Sequence, residues 1–352
     1  MTELDKLVSM SRYAGERFDL VQAAGGNTSV KYANDEMIIK ASGYLLSEVA
    51  HEKGYSRVLT SQVANIVHDQ NVVALDIKRD REIATVKLVQ EATLDKHNRP
   101  SIETILHSLL RKYTLHTHPL AVVALSIRKD WKQLVQKIFN DHDVALVGYF
   151  TPGIELAVAM QKEIRKFEKI PSIILLQNHG LIITSDDYSQ IDQLTEMVVE
   201  RIEDYLQFNL SKYKLTNQLT KTLNEQAASD NISYLVEDQY LNALLETNID
   251  LVFQRACCPD TFVYCGFEVV DLNKDASLTG YFRKYNELPK VVLLENRILI
   301  SAITIKKAKE TEEVLKLHLM TLKEAAGEVN HLSMDEMAYL GNWEAEKFRQ
   351  NK

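Results

Sequence analysis

Thr114-Leu115-His116-Thr117-His118-Pro119 is the stretch from which the rest of the chain can be read. Its first five residues are strand-like, and residues two apart in a strand project to the same face. His116 and His118 therefore stand side by side and can grip one metal ion. Pro119 suits the first turn of a following helix, because its φ is already fixed and no N–H is missed there. Upstream, His97-Asn98-Arg99-Pro100 reads as a turn, and Ser101 is a candidate N-cap for a helix running to about Arg111. Val72-Val73-Ala74-Leu75 is a strand-sized apolar run. Nearer the N-terminus, Leu7, Met10, Tyr13, Phe18 and Val21 predict a helix over about Asp5 to Ala24. Gly25-Gly26-Asn27-Thr28-Ser29 breaks it. Val30-Lys31-Tyr32 and Met37-Ile38-Ile39-Lys40 flank a polar turn at Asn34-Asp35 and predict a hairpin, followed by Ala41-Ser42-Gly43. Downstream, Val144 to Phe150 reads as a strand, Ile154 to Phe167 as a helix, Ile173 to Leu176 as a buried strand and Tyr188 to Tyr205 as a long helix.

The chain has 352 residues, 45% hydrophobic and 26% charged, an ordinary globular composition. At roughly 150 residues per domain the length predicts two domains. The polar stretch from Ser211 to Asp230 places the boundary near 215, giving domains over 1–215 and 216–352. Lys plus Arg is 41 against 49 Asp plus Glu, a net charge of -8, which argues against a nucleic-acid or membrane-surface partner. No apolar run approaches the roughly 20 residues of a membrane-spanning helix. The start, Met1-Thr2-Glu3-Leu4-Asp5-Lys6, lacks the basic and apolar regions of a signal peptide. The three cysteines, Cys257, Cys258 and Cys265, make no disulfide framework. A reducing cytoplasm is the expected location.

The second half contains a partial echo of the first. Pro171-Ser172-Ile173-Ile174-Leu175-Leu176-Gln177-Asn178-His179-Gly180-Leu181-Ile182 corresponds without a gap to Pro289-Lys290-Val291-Val292-Leu293-Leu294-Glu295-Asn296-Arg297-Ile298-Leu299-Ile300. Upstream, Val144–Phe150 resembles Thr261–Phe267. Downstream, both copies run into an amphipathic helix, Gln190 to Ile202 and Lys309 to Met320. Arg297 stands where His179 stands, so the second domain is expected to be a degenerate partial repeat without metal ligands.

Chemistry concentrates in the first copy. His179 ends a buried strand beside a glycine, where side chains commonly enter a site. Three histidines leave the fourth position on zinc open, the catalytic rather than the structural arrangement. Near a metal, Glu103 is a candidate general base, and a carboxylate early in a helix is electrostatically favoured. His107, four residues on, either supports the site from behind or belongs to the core. His51, His68, His97, His142, His318 and His331 are expected at the surface. Gly25-Gly26-Asn27-Thr28-Ser29 and Ala41-Ser42-Gly43 flank one hairpin, and exposed N–H groups there, together with Ser101, suit a phosphate. They match neither the dinucleotide nor the Walker fingerprint.

Taken together these motifs resemble the class II aldolase/adducin family of zinc-dependent sugar-phosphate aldolases and pentulose-phosphate 4-epimerases. The carriers are Gly25-Gly26-Asn27-Thr28-Ser29, Ser42-Gly43, Pro100-Ser101-Ile102-Glu103, His116-Thr117-His118-Pro119, Thr151-Pro152-Gly153-Ile154-Glu155-Leu156 and Asn178-His179-Gly180-Leu181, in the family's order across residues 1 to about 210. The C-terminal part, ending Leu340-Gly341-Asn342-Trp343-Glu344-Ala345-Glu346-Lys347-Phe348-Arg349, is similar to the region after the aldolase domain in rhamnulose-phosphate aldolase/dehydrogenase fusions, where a dehydrogenase would follow.

The resemblance implies a three-layer α/β/α fold with a mostly antiparallel central sheet, followed by a smaller α/β domain. It implies one zinc ion held by His116, His118 and His179, Glu103 as acid/base, and Gly26, Asn27, Thr28, Ser42, Gly43 and Ser101 around a substrate phosphate. Glutamate at 103 favours the aldolase branch over the epimerases, which typically carry aspartate there. The expected activity is cleavage of a ketose 1-phosphate of rhamnulose or fuculose type to dihydroxyacetone phosphate and an aldehyde. The alternatives are a 4-epimerase, another metal-dependent lyase such as a decarboxylase, or a non-catalytic adducin-like module. Ile102 replaces the second serine of the family's phosphate loop, and Tyr149 is a candidate for the tyrosine that family aldolases use as a second acid. Family sites lie between subunits of a cyclic tetramer, so a dimer or tetramer is expected, with a small sugar phosphate as ligand.

Overall fold

A computed structural model describes residues 1–95, 97–274, 277–325 and 328–342, and the chain divides into two compact units, Met1–Leu210 and Ser211–Lys352. In the first unit the strands are β1 (Asn27–Lys31), β2 (Glu36–Lys40), β3 (Tyr55–Leu59), β4 (Tyr113–Thr117), β5 (Val144–Val147), β6 (Ile173–Leu176) and β7 (Gly180–Ser185). They form one mixed sheet in the order β3-β2-β1-β4-β7-β6-β5. Only β5 and β6 pair in parallel; the other neighbours in the described sheet pair antiparallel.

Period-two alternation divides the sheet's side chains between two cores. Val30, Ile38, Leu115, Ile173, Leu175, Leu181 and Ile183 face one way. They meet α1 (Glu3–Gly15), α6 (Leu120–Ser126), α7 (Trp131–Ile138) and α9 (Ser189–Leu206). Met37, Ile39, Ala145, Val147, Ile174, Leu176 and Ile182 face the other. There they meet α2 (Thr60–Asn65), α4 (Lys78–Glu91), α5 (Thr104–Ser108) and α8 (Ile154–Ile164). Each fully buried aliphatic side chain contributes roughly 1.5–3 kcal/mol, so helices are held on both faces and the sheet is rigid where it carries polar groups.

Several sequence expectations give way here. The run at Val72–Leu75 is not a strand but lies in and just after a short helix, α3 (Gln70–Val73), started by Asp69, whose side chain accepts from Asn71 N–H at 2.8 Å. The first helix stops at Gly15 instead of reaching Ala24. A Cβ on Gly15 would meet Ser47 N at 2.2 Å, so this turn ends flush against the next segment. The helix expected from Ser101 to Arg111 is only α5, with Glu103 at its N-cap position. Ser101 still serves that turn, its Oγ accepting from Glu103 N–H at 3.3 Å. The edge strand β3 and the polar helix α4 lack a periodic apolar pattern, which hides both in the sequence.

The second unit contains α10 (Leu215–Gln226), β8 (Ile232–Leu235), α11 (Gln239–Asn248), α12 (Pro259–Cys265), β9 (Val270–Asp271), α13 (Ser277–Tyr285), β10 (Val291–Leu294), β11 (Arg297–Ala302), α14 (Ile305–Glu324) and α15 (Met334–Asn342). Its sheet runs β8-β11-β10-β9. Thr261–Phe267, read as the partner of a strand, lies instead in and just after α12, where Pro259 opens the helix and Gly266 ends it at φ 83°. The strand pairing in parallel with β10 is β9. His318 is buried on α14 rather than exposed. Residues 343–349 of the C-terminal motif lie outside the described residues.

Behind the first sheet α1 and α9 trap a charged cluster. Arg17, 1% exposed, pairs with Asp19 and Glu196, and Tyr13 OH donates to Glu196 Oε1 at 2.6 Å. Asp192, one turn before Glu196, is half-buried, and its Oδ1 has no hydrogen-bond partner among the described residues. Burial, reinforced by the Glu196 carboxylate, raises its pKa from 3.8 to about 6. The folded state thus binds this proton more tightly than the unfolded one, and stability falls as pH rises from about 4 through 6. Asp192→Asn is expected to raise the melting temperature at pH 8, with the gain fading by pH 4. An equal gain at both pH values contradicts the assignment.

Candidate metal centre

The site is built on the register of three strands. Asn27 on β1 lies opposite His116 on β4, which lies opposite Ile182 on β7. His116 points to the same side of the sheet as α5. His118 follows the end of β4, anchored by its N–H to Leu20 O at 2.9 Å. His179 occupies the β6–β7 turn beside Asn178, whose φ is 54°. Two glycines permit this convergence. A Cβ on Gly180 would meet Thr117 O at 2.2 Å, and one on Gly26, at φ 69°, would meet His116 O at 2.8 Å.

The imidazoles converge through their Nε2 atoms. His116 Nε2 lies 3.2 Å from His179 Nε2 and 3.2 Å from His118 Nε2. His116 Nδ1 faces Leu181 O at 3.0 Å. A carbonyl only accepts, so Nδ1 carries the hydrogen and Nε2 offers its lone pair to the centre. Burial lowers the pKa of His116 and of His118 to about 3, each helped by the neighbouring imidazoles. Both rings are therefore neutral, the form that ligates metal. Nitrogens about 2.0–2.1 Å from a tetrahedral ion stand roughly 3.3–3.4 Å apart, close to the spacing found. Among the described residues this is the one trio of such groups close enough to hold an ion. The donor set fits a divalent transition metal with an open fourth position.

Glu103 faces the same point. Its Oε2 lies 3.4 Å from His116 Nε2, and its Oε1 lies 3.3 Å from His179 Nε2. The residue is 6% exposed. Asn27 Nδ2 donates to Oε2 at 2.7 Å, while Oε1 is buried with no hydrogen-bond partner among the described residues. One carboxylate oxygen is thus fixed and the other is free to work.

Of the expected phosphate-binding residues the structure gathers some and turns one away. Ala41 pairs with Pro100, and Ser42 N–H donates to Arg99 O at 2.8 Å, which brings the exposed Ser42-Gly43 turn beside Ser101. Gly43 has φ 90° and open space about it. Gly26 and Asn27 border the triad. Thr28, however, is fully buried on the opposite face of β1, its Oγ1 2.5 Å from Ser11 Oγ on α1. Ile102 is 46% exposed. Tyr149 follows β5, exposed, with its backbone N–H donating to Gln177 Oε1 at 3.3 Å. Arg297 opens β11 in the second unit.

One member escaped sequence reasoning. Lys40 ends β2 buried at 3% exposure, with Nζ 3.4 Å from Ala24 O of the glycine loop and Glu103 among the charges acting on it. Burial lowers its pKa. The signal was present, a lysine closing an otherwise apolar strand immediately before Ala41-Ser42-Gly43.

A curated relative, the uncharacterized oxidoreductase YuxG of Bacillus subtilis, is 27% identical over 221 residues, 60% of this chain and 31% of that protein. The chain thus spans less than a third of that relative's length. The N-terminal class II aldolase domain of a conserved protein from Thermoplasma acidophilum shares the fold, with TM-score 0.50 at 24% identity, over 58% of this chain and 94% of that one. The family described as Class II Aldolase and Adducin N-terminal domain matches residues 5–206. That match takes in more than half of the chain, which is therefore a member of the class II aldolase and adducin family.

Proposed function

We propose that the chain is a metal-dependent lyase that cleaves a ketose 1-phosphate of the rhamnulose or fuculose type to dihydroxyacetone phosphate and an aldehyde. The observation that carries this reading is the convergence of three imidazoles on one point beside a buried carboxylate whose Oε1 has no hydrogen-bond partner among the described residues. His116, His118 and His179 would hold a zinc ion, which would supply positive charge beside the negative charge that develops as the C–C bond breaks. The remaining work falls to the protein. Asn27 holds Glu103 so that Oε1 faces the cleaved carbon. In cleavage the proton leaving the substrate hydroxyl is returned by Glu103 to that carbon; in condensation Oε1 removes it. His116 and Glu103 are buried, and burial strengthens each charge interaction.

Lys40 supports an anionic substrate. Lys40, buried two residues before the Ser42-Gly43 turn, would offer charge where Ile102 offers none. The reading places the site in a homo-oligomer, with a tyrosine such as Tyr149 reaching a neighbouring subunit's substrate as the second acid.

The second unit fits a degenerate partial repeat. Its strand order and directions reproduce β4-β7-β6-β5 as β8-β11-β10-β9. The offset of 118 residues from Pro171 to Pro289 also holds across the pairing, for His116 opposes Ile182 and Tyr234 opposes Ile300. Tyr234, Val236 and Arg297 then occupy the positions of His116, His118 and His179. None of the three is a neutral imidazole, so this unit is assigned no metal.

Two variants test the reading. Glu103→Gln keeps the shape of the side chain and is expected to retain bound metal while cleavage of ketose 1-phosphates, followed as dihydroxyacetone phosphate release, falls roughly 100-fold or more. Retained turnover removes Glu103 from the acid/base role, and bound metal without product release moves the reading to an epimerase or another lyase. Lys40→Met is expected to raise KM for the phosphorylated ketose about tenfold or more, the loss expected for a charged hydrogen bond. An equal rise with the unphosphorylated sugar shows that Lys40 does not meet the phosphate.

A further inference from the structure

Behind Glu103 runs a line of polar side chains that ligation and acid/base chemistry leave unused. Asn27 Nδ2 faces Glu103 Oε2 at 2.7 Å. Asn27 Oδ1 faces His107 Nε2 in a short contact. His107 Nδ1 faces Ser29 Oγ at 2.7 Å. Ser29 and His107 are fully buried, Asn27 is 3% exposed and Glu103 6%. Asn27 and Ser29 share one face of β1, and His107 stands one turn after Glu103 on α5.

The chemistry of the ends sets the direction of every bond between them. Asn27 presents its NH2 to Glu103, Nδ2 donating to the carboxyl oxygen Oε2. Its oxygen is then left for His107. An amide oxygen also only accepts, so His107 Nε2 carries a hydrogen. Burial keeps the ring neutral, with its pKa lowered to about 3. Nδ1 is therefore bare and accepts from the Ser29 hydroxyl. Donation runs one way, from Ser29 to His107 to Asn27 to Glu103, and hydrogen bonds aligned in this way polarise one another in a low-dielectric interior.

We infer that His107 is a positioning residue that fixes the orientation of the Asn27 amide and, through it, holds Glu103 with Oε2 tethered and Oε1 turned to the reacting carbon. Without the Nε2–H donor the Asn27 amide is oriented only through its NH2, by Glu103 Oε2 and a 3.5 Å contact with Ser101 Oγ, and a rotated amide would aim its oxygen at the Glu103 carboxylate. Acceptor would then face acceptor in a buried space, which costs free energy and displaces the carboxylate. The inference rests on the acid/base role proposed for Glu103, whereas the tautomer it requires does not.

The tautomer is therefore measured first, by 15N NMR of protein labelled at histidine, assigned with His107→Gln. The expected result is a neutral ring with hydrogen on Nε2 and none on Nδ1. Hydrogen on Nδ1, or a doubly protonated ring at pH 7, overturns the inference whatever the enzyme's substrate. Activity follows as a double-mutant cycle. His107→Leu is expected to lower kcat about 10–100-fold, the size typical of residues that support ligands from behind, with KM and metal content little changed. His107→Gln, whose amide can donate to Asn27 Oδ1, is expected to restore most of kcat. In an Asn27→Ala background His107→Leu is expected to cost nothing further. An equal cost in both backgrounds means that His107 acts on packing alone and overturns the inference. If His107→Leu does not fold, the NMR result and the Gln variant decide: full loss of kcat in a folded Gln variant with metal bound contradicts it. The expected tautomer with no cleavage of any ketose 1-phosphate leaves the positioning line intact and refutes the proposed substrate.

Discussion

The site depends on the ladder that joins β1, β4 and β7. Its register puts Asn27 opposite His116 and His116 opposite Ile182. Because side chains alternate between faces, a slip of one residue would send His116 into the apolar layer occupied by Leu115 and bring Leu115 to the metal position. Two apolar cores, one on each face, oppose that slip. The aliphatic packing and the placement of the ligands are thus one constraint, and Gly26 and Gly180 allow the neighbouring chain segments to come close enough to satisfy it.

Desolvation then gives the groups their chemistry. The same burial that keeps His116 and His118 neutral leaves Glu103 Oε1 without a hydrogen-bond partner among the described residues. In water these groups would be screened and mobile. Held close and buried, three imidazoles and a carboxylate make a cluster that a divalent cation would relieve.

Much of this was legible in the sequence because it was local. His116-Thr117-His118 needed only the two-residue period of a strand. The β1–β2 hairpin followed from its turn at Asn34-Asp35, and the Asn178-His179-Gly180 turn followed from a buried strand ending in turn residues. What escaped was set by distance in sequence. The faces of β1 cannot be told apart from Asn27-Thr28-Ser29 alone, so Thr28 reads as part of the expected phosphate loop although its side chain is buried against Ser11 on the other face. His107 was left between two roles because Asn27 and Ser29, its partners, are some 80 residues away. The strand-like Val72–Leu75 became helical through the cap at Asp69, and Thr261–Phe267 became helical through Pro259, each a local device stronger than apolar content. The offset linking His116 to Tyr234 emerged only when strand register could be compared.

The central claim is that the three clustered imidazoles of the first unit hold a catalytic metal. Elemental analysis of protein purified without chelators, wild type beside His116→Ala, tests it most directly. The account predicts about one divalent ion per chain in the wild type, as a three-histidine site with an open position holds, and its loss in the variant. No metal in the wild type, or an ion retained by folded His116→Ala, would contradict it.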